Sequence, residues 1–273
     1  MSMALEPSVK TALFVPGSRP DRFAKALATG ADRVIVDFED AVEEPLKQQA
    51  RANLAAFFSA NPTVSVVVRV NAYGHPEHEA DLAFCSGFAQ VSAILLPKAE
   101  SAAQVNHAAL SGKRIWPLIE SAEGLRNLAE IACANGVERL AFGALDLGLD
   151  LGVQATSTAA VRIFDQVRYS ILLNTRLARL ARPLDTVFPD FSDSEGLADF
   201  ARDALHMGFG GMLCIHPAQV PVAAAVFQPS VQEIEWARKV LQAAEGAPGA
   251  FRLEGKMIDA PVIAAARQVL KRG

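Results

Sequence analysis

The stretch Ile115-Trp116-Pro117-Leu118-Ile119-Glu120-Ser121-Ala122-Glu123-Gly124 indicates the fold, together with Leu140-Ala141-Phe142-Gly143-Ala144-Leu145-Asp146 further along the chain. Each is an apolar run of strand length that is followed by a carboxylate and small, turn-forming residues. Because the carboxyl ends of successive parallel strands meet at one edge of a sheet, Glu120 and Asp146 are expected side by side. Carboxylate oxygens are the ligands that Mg²⁺ prefers, and this ion keeps several waters. The pattern predicts a Mg²⁺ site; the alternative is that both carboxylates cap the helices that follow.

Apolar runs of this kind recur along most of the chain and alternate with segments of helical periodicity. The runs are residues 12–15, 34–36, 64–70, 93–96, 115–119, 140–142, 186–188 and 212–215. Being apolar on both faces, they are typical of buried parallel strands. Eight such units predict a (β/α)8 TIM barrel, which we assign to residues 1–228. A doubly wound open sheet is the alternative, but it usually has fewer strands and a glycine-rich first turn.

The chain continues beyond the predicted barrel, and we assign residues 229–273 to a C-terminal helical extension. Residues 232–244 have the pattern of an amphipathic helix. Further on, Asp259 suits the N-cap of a last helix and Pro261 its first turn. Such an extension could act as a lid over the barrel or as an arm that reaches another subunit. A packed terminal helix is the simpler alternative.

The bulk composition is that of an ordinary soluble enzyme. The 273 residues are 51% apolar and 21% charged, with a formal net charge of −4. Without a stripe of basic residues, no nucleic-acid partner is expected. The N-terminus lacks a signal-peptide pattern, and no apolar run is long enough to span a membrane. Cys85, Cys133 and Cys214 have no C-x-x-C spacing, so we expect reduced thiols and a cytoplasmic protein.

Charged residues cluster at the expected ends of the second and third strands. Arg69 lies in an otherwise apolar run, and a buried guanidinium needs an anionic partner. That partner could be an acid substrate, an internal carboxylate such as Asp37 or Glu39, or both. Asp37, Glu39 and Asp40 are close in sequence, and like charges this close require a cation unless the loop is solvated. Arg69, Mg²⁺ or Lys98 would supply it.

Basic residues also follow the first predicted strand. Arg19, Arg22 and Lys25 could bind a phosphate-bearing ligand there, or they could form the solvated start of a helix. His216, at the end of the eighth run, could act as a base, but a structural role is the preferred interpretation.

Taken together, these segments resemble the citrate lyase beta-subunit family, which groups with the malyl-CoA and citramalyl-CoA lyases and the 2-oxo-acid aldolases. The resemblance extends over nearly the whole chain. It is carried by Phe14-Val15-Pro16-Gly17-Ser18-Arg19-Pro20, Val36-Asp37-Phe38-Glu39-Asp40-Ala41-Val42, Arg69-Val70-Asn71, Leu96-Pro97-Lys98, Ile119-Glu120-Ser121-Ala122-Glu123-Gly124, Phe142-Gly143-Ala144-Leu145-Asp146 and Ile215-His216-Pro217.

The resemblance implies a Mg²⁺-dependent carbon–carbon lyase with Glu120 and Asp146 as metal ligands. The substrate would be a 3-hydroxy-carboxyacyl thioester, which is cleaved to a 2-oxo acid and an acetyl-type thioester or formed in reverse. Arg69 would hold the acid and Glu39 would orient Arg69. Asp259 would be the acid–base, often contributed by a neighbouring subunit in relatives.

The resemblance further implies a binding surface for the thioester. Arg19, Arg22 and Lys25 would bind the phosphates of CoA, Lys98 would contact the substrate, and Asp37 and Asp40 would support the site from behind. A homo-oligomer, a trimer or hexamer, is expected. The alternatives are a Mg²⁺-dependent aldolase acting on free 2-oxo acids, and a citrate lyase beta subunit that works on an acyl-carrier protein.

Overall fold

The computed structural model describes residues 8–154, 157–247 and 249–272. The chain divides into two compact units, Met1–Ala224 and Ala225–Gly273. In the first unit, eight parallel strands form a closed barrel in chain order, with surrounding helices. The strands are β1 (Thr11–Pro16), β2 (Arg33–Asp37), β3 (Val66–Arg69), β4 (Val91–Leu96), β5 (Arg114–Ile119), β6 (Ala141–Phe142), β7 (Leu184–Asp185) and β8 (Gly211–Cys214). The prediction of a (β/α)8 barrel is therefore confirmed.

Helices follow the strands around the barrel. They are α1 (Phe23–Leu27), α2 (Lys47–Ala60), α3 (His78–Gly87), α4 (Ala102–Ala109), α5 (Ala122–Arg126), α6 (Leu128–Ala132), α7 (Ala144–Asp150), α8 (Thr158–Leu177), α9 (Ser194–Met207) and α10 (Gln219–Phe227). Short 3-10 turns at Pro20–Arg22 and Glu44–Leu46 precede α1 and α2. Within the described parts of the chain, every helix is too short or too polar to traverse a lipid bilayer.

The strand register decides which residues meet at the mouth of the barrel. β1 pairs with β8 and closes the barrel, with Thr11 opposite Met212. β2 pairs with β3 so that Asp37 stands opposite Arg69 at the carboxyl ends of both strands. The interior is filled by apolar side chains, among them Ile35, Val67, Leu95, Trp116, Leu118 and Leu213. Burying these side chains drives closure of the barrel, and the charged residues are left at the strand ends.

Some local details differ from the sequence prediction. The seventh strand is Leu184–Asp185 and ends before residues 186–188, the apolar run that predicts it. The segment after β5 forms two short helices, α5 and α6, that meet at Asn127. A helix not foreseen, α7, begins directly after β6, so Asp146 lies in a first helical turn rather than at a strand end.

The second unit consists of helices and a small hairpin. It contains α11 (Val231–Ala244), β9 (Phe251–Leu253), β10 (Lys256–Ile258) and α12 (Ala260–Arg272). Ser230 and Glu233 form a capping box that starts α11. The antiparallel pair β9–β10 was not predicted; Gly255 supplies a positive φ of 81° in its turn, which glycine tolerates best. Ala237, Val240, Ile258 and Ala266 form the small core of this unit.

Candidate active site

A cavity of about 860 Å³ opens at the carboxyl ends of the barrel strands. This is the face of a (β/α)8 barrel where active sites lie. The cavity collects eight of the residues that the sequence analysis singled out as site residues: Arg19, Arg22, Lys25, Asp37, Asp40, Arg69, Glu120 and Asp146. Glu39 and Lys98 join them through ion pairs and hydrogen bonds described below.

Arg69 is the centre of an ion-pair network. Its Nε and Nη2 donate to the two carboxylate oxygens of Asp37, at 2.7 and 2.6 Å. This bidentate pair follows from the β2–β3 register, which sets the two residues opposite each other. Nη1 lies 3.0 Å from Oε2 of Glu39 and 3.6 Å from Oδ2 of Asp40. The internal ion pair that the sequence left open is therefore present, and Asp37 is its main partner.

The surroundings of Arg69 stabilise its positively charged form. Burial disfavours the charged guanidinium, but the nearby carboxylates of Asp37, Glu39 and Asp40 outweigh burial and raise the pKa of Arg69. The guanidinium also lies over the Phe14 ring, 4.9 Å from its centroid. A cation with these contacts is permanently charged and fixed in orientation, as a clamp for an anion must be.

Lys98 links this network to Glu120. Its Nζ donates to Oε1 of Glu39 at 2.6 Å, and its backbone N–H donates to Oε1 of Glu120 at 2.8 Å. Lys98 has a positive φ of 47°, which an L-residue adopts only at some cost. Burial raises the pKa of Glu39, although Arg69 and Lys98 oppose that rise. In this conformation Lys98 contacts two acids at once, Glu39 through its side chain and Glu120 through its backbone N–H.

Glu120 and Asp146 have the properties of a cation site. Glu120 is buried, and burial together with the charges of Glu39 and Asp146 raises its pKa to about 8. Gly143 makes the close approach of β6 possible, because a Cβ there would lie 2.5 Å from Oε2 of Glu120. A buried carboxylate beside two others is costly unless a cation neutralises it. An all-oxygen donor set of this kind fits Mg²⁺, as expected from the sequence.

The basic residues after β1 form one side of the cavity. Arg19 donates to both oxygens of Asp21, at 3.2 and 3.4 Å, and all of these atoms are exposed. Arg22 and Lys25 also line the cavity. The prediction that these three cations lie near the strand ends agrees with their place in the structure, and their role in ligand binding stays a prediction.

Asp259 and His216 have simple structural contacts. Asp259 belongs to the second unit, where its Oδ1 accepts from the backbone N–H of Val262 at 3.2 Å and so caps α12. Its assignment as acid–base stays a prediction. His216 lies in the cavity lining and stacks on Phe191 with ring centroids 4.6 Å apart, and its Nδ1 accepts from the Ala218 N–H. These contacts agree with the structural role that the sequence analysis preferred.

The sequence analysis missed the polar residues at the end of β7. Asp185 is fully buried and pairs with Nε of Arg168 on α8, at 2.9 Å. Thr186 lines the cavity, and its hydroxyl accepts from the backbone N–H of Ala144 at 3.0 Å. That bond anchors the first turn of α7, which carries Asp146. If the predicted strand had ended at Asp185, both residues would have been identified as strand-end candidates.

The fold and this cavity place the chain among (β/α)8-barrel enzymes with a charged site at the carboxyl ends of the strands. Over residues 10–217 it matches the HpcH/HpaI aldolase/citrate lyase family, and the chain belongs to that family.

Relatives of known name extend this match over nearly the full length. A citrate lyase subunit beta-like protein of Mycobacterium tuberculosis is 42% identical over 264 residues, covering 95% of this chain and 94% of the relative. A (3S)-malyl-CoA thioesterase of Cereibacter sphaeroides is 34% identical over 275 residues, covering 96% and 94%. The crystal structure of Mycobacterium tuberculosis CitE with magnesium, acetoacetate and coenzyme A superposes with a TM-score of 0.84, at 40% identity and 98% coverage of both chains.

Proposed function

We propose that this protein is a Mg²⁺-dependent carbon–carbon lyase that acts on a 3-hydroxy-carboxyacyl thioester of CoA. It would release, or condense, a 2-oxo acid and an acetyl-type thioester. The observation that carries the proposal is the cavity itself. It joins a carboxylate pair, Glu120 and Asp146, to a fixed guanidinium, Arg69, beside a basic rim. The CitE relative, crystallised with magnesium, an oxo acid and coenzyme A, supports the same ligand classes.

Glu120 and Asp146 would hold the metal ion. Their carboxylates are hard oxygen donors, and the excess negative charge around Glu120 is what a divalent cation would neutralise. When bound, Mg²⁺ supplies Lewis-acid stabilisation of negative charge on the substrate oxygens. Lys98 would keep Glu120 in place through its backbone N–H.

Arg69 would bind the substrate carboxylate with donors that Asp37 does not use. A guanidinium has five N–H groups, and Asp37 takes the Nε–H and one N–H of Nη2. Three N–H groups, two of them on Nη1, remain for Glu39 and for an anionic substrate. Asp37 therefore orients the guanidinium, and Glu39 assists. The role of Glu39 in orienting Arg69 stays a prediction, and Asp37 is added as a second orienting carboxylate.

The bond-breaking step requires two proton transfers. As the carbon–carbon bond breaks, the hydroxyl group loses its proton and becomes the carbonyl of the 2-oxo acid. The electron pair of the broken bond moves to the carbon beside the thioester carbonyl, which then takes up a proton. We assign that protonation to Asp259. The sequence motif that contains it and its half-buried setting at the start of α12 support the assignment.

The basic rim favours a CoA thioester over a free acid. Arg22 and Lys25 place two positive charges at the cavity edge, and Arg19 is the third, although Asp21 already pairs with it. Phosphates of CoA would satisfy such a surface, whereas a small 2-oxo acid would be bound by Arg69 and the metal alone. We further propose a homo-oligomer, because an arm that reaches a neighbouring site requires one.

A product-resolved screen tests the proposal. The full-length chain is incubated with malyl-, citramalyl- and citryl-CoA, with Mg²⁺ or with a chelator, and products are identified by mass. The expected result is a 2-oxo acid plus an acetyl-type CoA thioester, formed only with Mg²⁺. Release of free CoA and the intact hydroxy acid would instead identify a thioesterase, the activity named for the Cereibacter relative. Cleavage of free hydroxy acids without any thioester substrate would identify an aldolase. Either outcome would overturn the proposal.

The thioester part can be tested separately. The matching pantetheine thioester, which lacks the nucleotide phosphates, should have a KM raised by about tenfold or more, with kcat largely kept. Replacing both Arg22 and Lys25 with Ala should remove this difference between the two substrates. Equal KM values for both thioesters in the unmodified protein would show that the rim does not bind CoA.

A further inference from the structure

A second cluster of metal-ligating side chains lies in the helical layer, away from the cavity. It consists of His78 and Glu79 at the start of α3 and His107 in the last turn of α4. One ligand atom of each residue lies within 4.8 Å of the others. The residues that line the active-site cavity do not include these three. The cluster is therefore distinct from the Glu120–Asp146 pair.

The ring of His78 is held in the state that a metal ligand requires. The residue is 1% exposed, and its Nδ1 lies 2.6 Å from the backbone oxygen of Asn71. A carbonyl only accepts, so Nδ1 is the donor, and Nε2 is the nitrogen that a neutral imidazole would offer to a metal ion. Nε2 is buried and has no hydrogen-bond partner among the described residues. A histidine whose other nitrogen donates to a backbone carbonyl is the usual arrangement at metal sites.

Asn71 itself is fixed, so the orientation of His78 is not accidental. Its backbone N–H and its Nδ2 both donate to Oδ2 of Asp81, at 2.9 and 2.6 Å. Asp81 is fully buried and pairs with Arg51 at 2.6 Å. A buried nitrogen acceptor without a donor costs free energy unless something else occupies it. A cation is the partner that two imidazoles and a carboxylate would share.

The other two residues contact each other and are more exposed than His78. Nε2 of His107 lies 2.7 Å from Oε1 of Glu79, and the His107 ring stacks near the His78 ring with centroids 6.1 Å apart. The side chains of His107 and Glu79 are 38% and 70% exposed. A tetrahedral ion with ~2.0 Å bonds would draw its ligand atoms to roughly 3.3 Å of one another. Rotation of the exposed Glu79 side chain and the half-buried His107 side chain would supply this closure while His78 stays in place.

We propose that His78, Glu79 and His107 bind a Zn²⁺ ion that joins the start of α3 to the end of α4, with water as the fourth ligand. Two nitrogen donors and one carboxylate favour Zn²⁺ or a similar transition metal over Mg²⁺. The site is independent of the proposed lyase reaction. Its effect would be on stability, because an ion that binds only the folded chain stabilises it.

Isothermal titration with Zn²⁺ tests the site on the full-length chain, after chelator treatment and in excess Mg²⁺ so that the carboxylate pair is filled. We expect one Zn²⁺ per chain, a rise in Tm, and the same binding in Glu120→Ala. His107→Ala and Glu79→Gln change exposed side chains and should each weaken Zn²⁺ binding by about tenfold or more.

His75→Ala is the matched control, because His75 contacts Glu44 in a similar surface pair at 3.2 Å but lies outside the cluster. It should leave Zn²⁺ binding unchanged. Co²⁺ titrated in place of Zn²⁺ should give the visible absorption of a tetrahedral site with nitrogen ligands in the unmodified protein, in His75→Ala and in Glu120→Ala, but not in the two cluster variants. Unchanged Zn²⁺ affinity in both cluster variants, or loss of binding in Glu120→Ala alone, would overturn the proposal.

Discussion

Asp37 and Glu120 are both carboxylates buried at the ends of barrel strands, but their surroundings differ. Asp37 accepts two hydrogen bonds from Arg69 and two from the backbone N–H groups of Glu39 and Ala41. Glu120 accepts one hydrogen bond from the backbone of Lys98 and lies near the charges of Glu39 and Asp146. The first carboxylate forms a bidentate ion pair within the chain, whereas Arg69 and Lys98 offset the charge of the second only in part.

This difference indicates two roles within one cavity, in which Asp37 and Arg69 position the substrate and Glu120 and Asp146 bind the metal ion. The guanidinium half, Asp37 with Arg69, is complete before any ligand arrives and so can present fixed donors. The carboxylate half, Glu120 with Asp146, stays costly until a divalent ion binds. We therefore expect variants in the carboxylate half to respond to metal, and variants in the guanidinium half to respond to the substrate.

The largest effect is expected from Glu120→Ala. Losing one of the two metal ligands should lower kcat/KM by about a thousandfold or more and should remove the rise in Tm on adding Mg²⁺. Glu123→Ala is the matched control, since Glu123 is a partly exposed carboxylate that pairs with Arg126. Activity and calorimetric Mg²⁺ titration measure both. Unchanged Mg²⁺ affinity in Glu120→Ala and in Asp146→Ala would refute the metal assignment.

Subunit mixing tests whether Asp259 of one chain completes the active site of another chain. Arg69→Ala and Asp259→Ala homomers should each be inactive, because each lacks one required group. Oligomers that contain both variants should regain part of the activity, since some sites would combine an intact Arg69 with an intact Asp259. Activity is measured after exchange is verified by native mass spectrometry. An active monomer, or no recovery after verified exchange, would exclude contribution in trans.

Arg69→Lys should affect substrate binding by the guanidinium half and leave metal binding by Glu120 and Asp146 unchanged. Lysine keeps the charge but loses the planar fork that Asp37 and a substrate carboxylate share. We expect kcat/KM to fall about tenfold or more, equivalent to ~1.4 kcal/mol of transition-state binding, while the Mg²⁺-induced rise in Tm is kept. Arg202→Lys, in an exposed pair with Asp199, is the control. Near-normal kinetics for Arg69→Lys would leave Arg69 with a structural role only.

The smallest effect is expected on stability, from Glu120→Gln without Mg²⁺. Folding raises the pKa of Glu120 from 4.5 to about 8, so the folded state keeps a proton that the unfolded chain releases. The unmodified protein should then lose stability as pH rises between these values. Glutamine cannot ionise, so Tm of the variant should exceed that of the unmodified protein by a few degrees near pH 9. A lower Tm of Glu120→Gln at that pH would contradict the prediction.

Most strands of the barrel could be predicted from the sequence because the pattern of a buried strand depends only on neighbouring residues. A buried parallel strand is apolar on both faces, and seven of the eight predicted runs overlap observed strands. The exception is informative: β7 has two residues, Leu184 and Asp185, and one of them is a buried acid. Asp185 forms an ion pair with Arg168, which lies 17 positions away in the sequence. A two-residue strand that contains such an acid has no apolar run by which it could be predicted.

The order of residues along the chain determined which side chains reach the mouth of the barrel. Asp37, Arg69 and Glu120 lie at or next to strand ends, and this can be predicted without knowing what they contact. Which of these side chains pair with each other depends on the tertiary structure. The β2–β3 register chose Asp37 rather than Glu39 as the main partner of Arg69. The close packing of Gly143 against Glu120 brought the start of α7, and with it Asp146, towards that carboxylate. The physical reason is that strand patterns depend on neighbours along the chain, whereas charge neutralisation depends on atoms that closure of the barrel brings together.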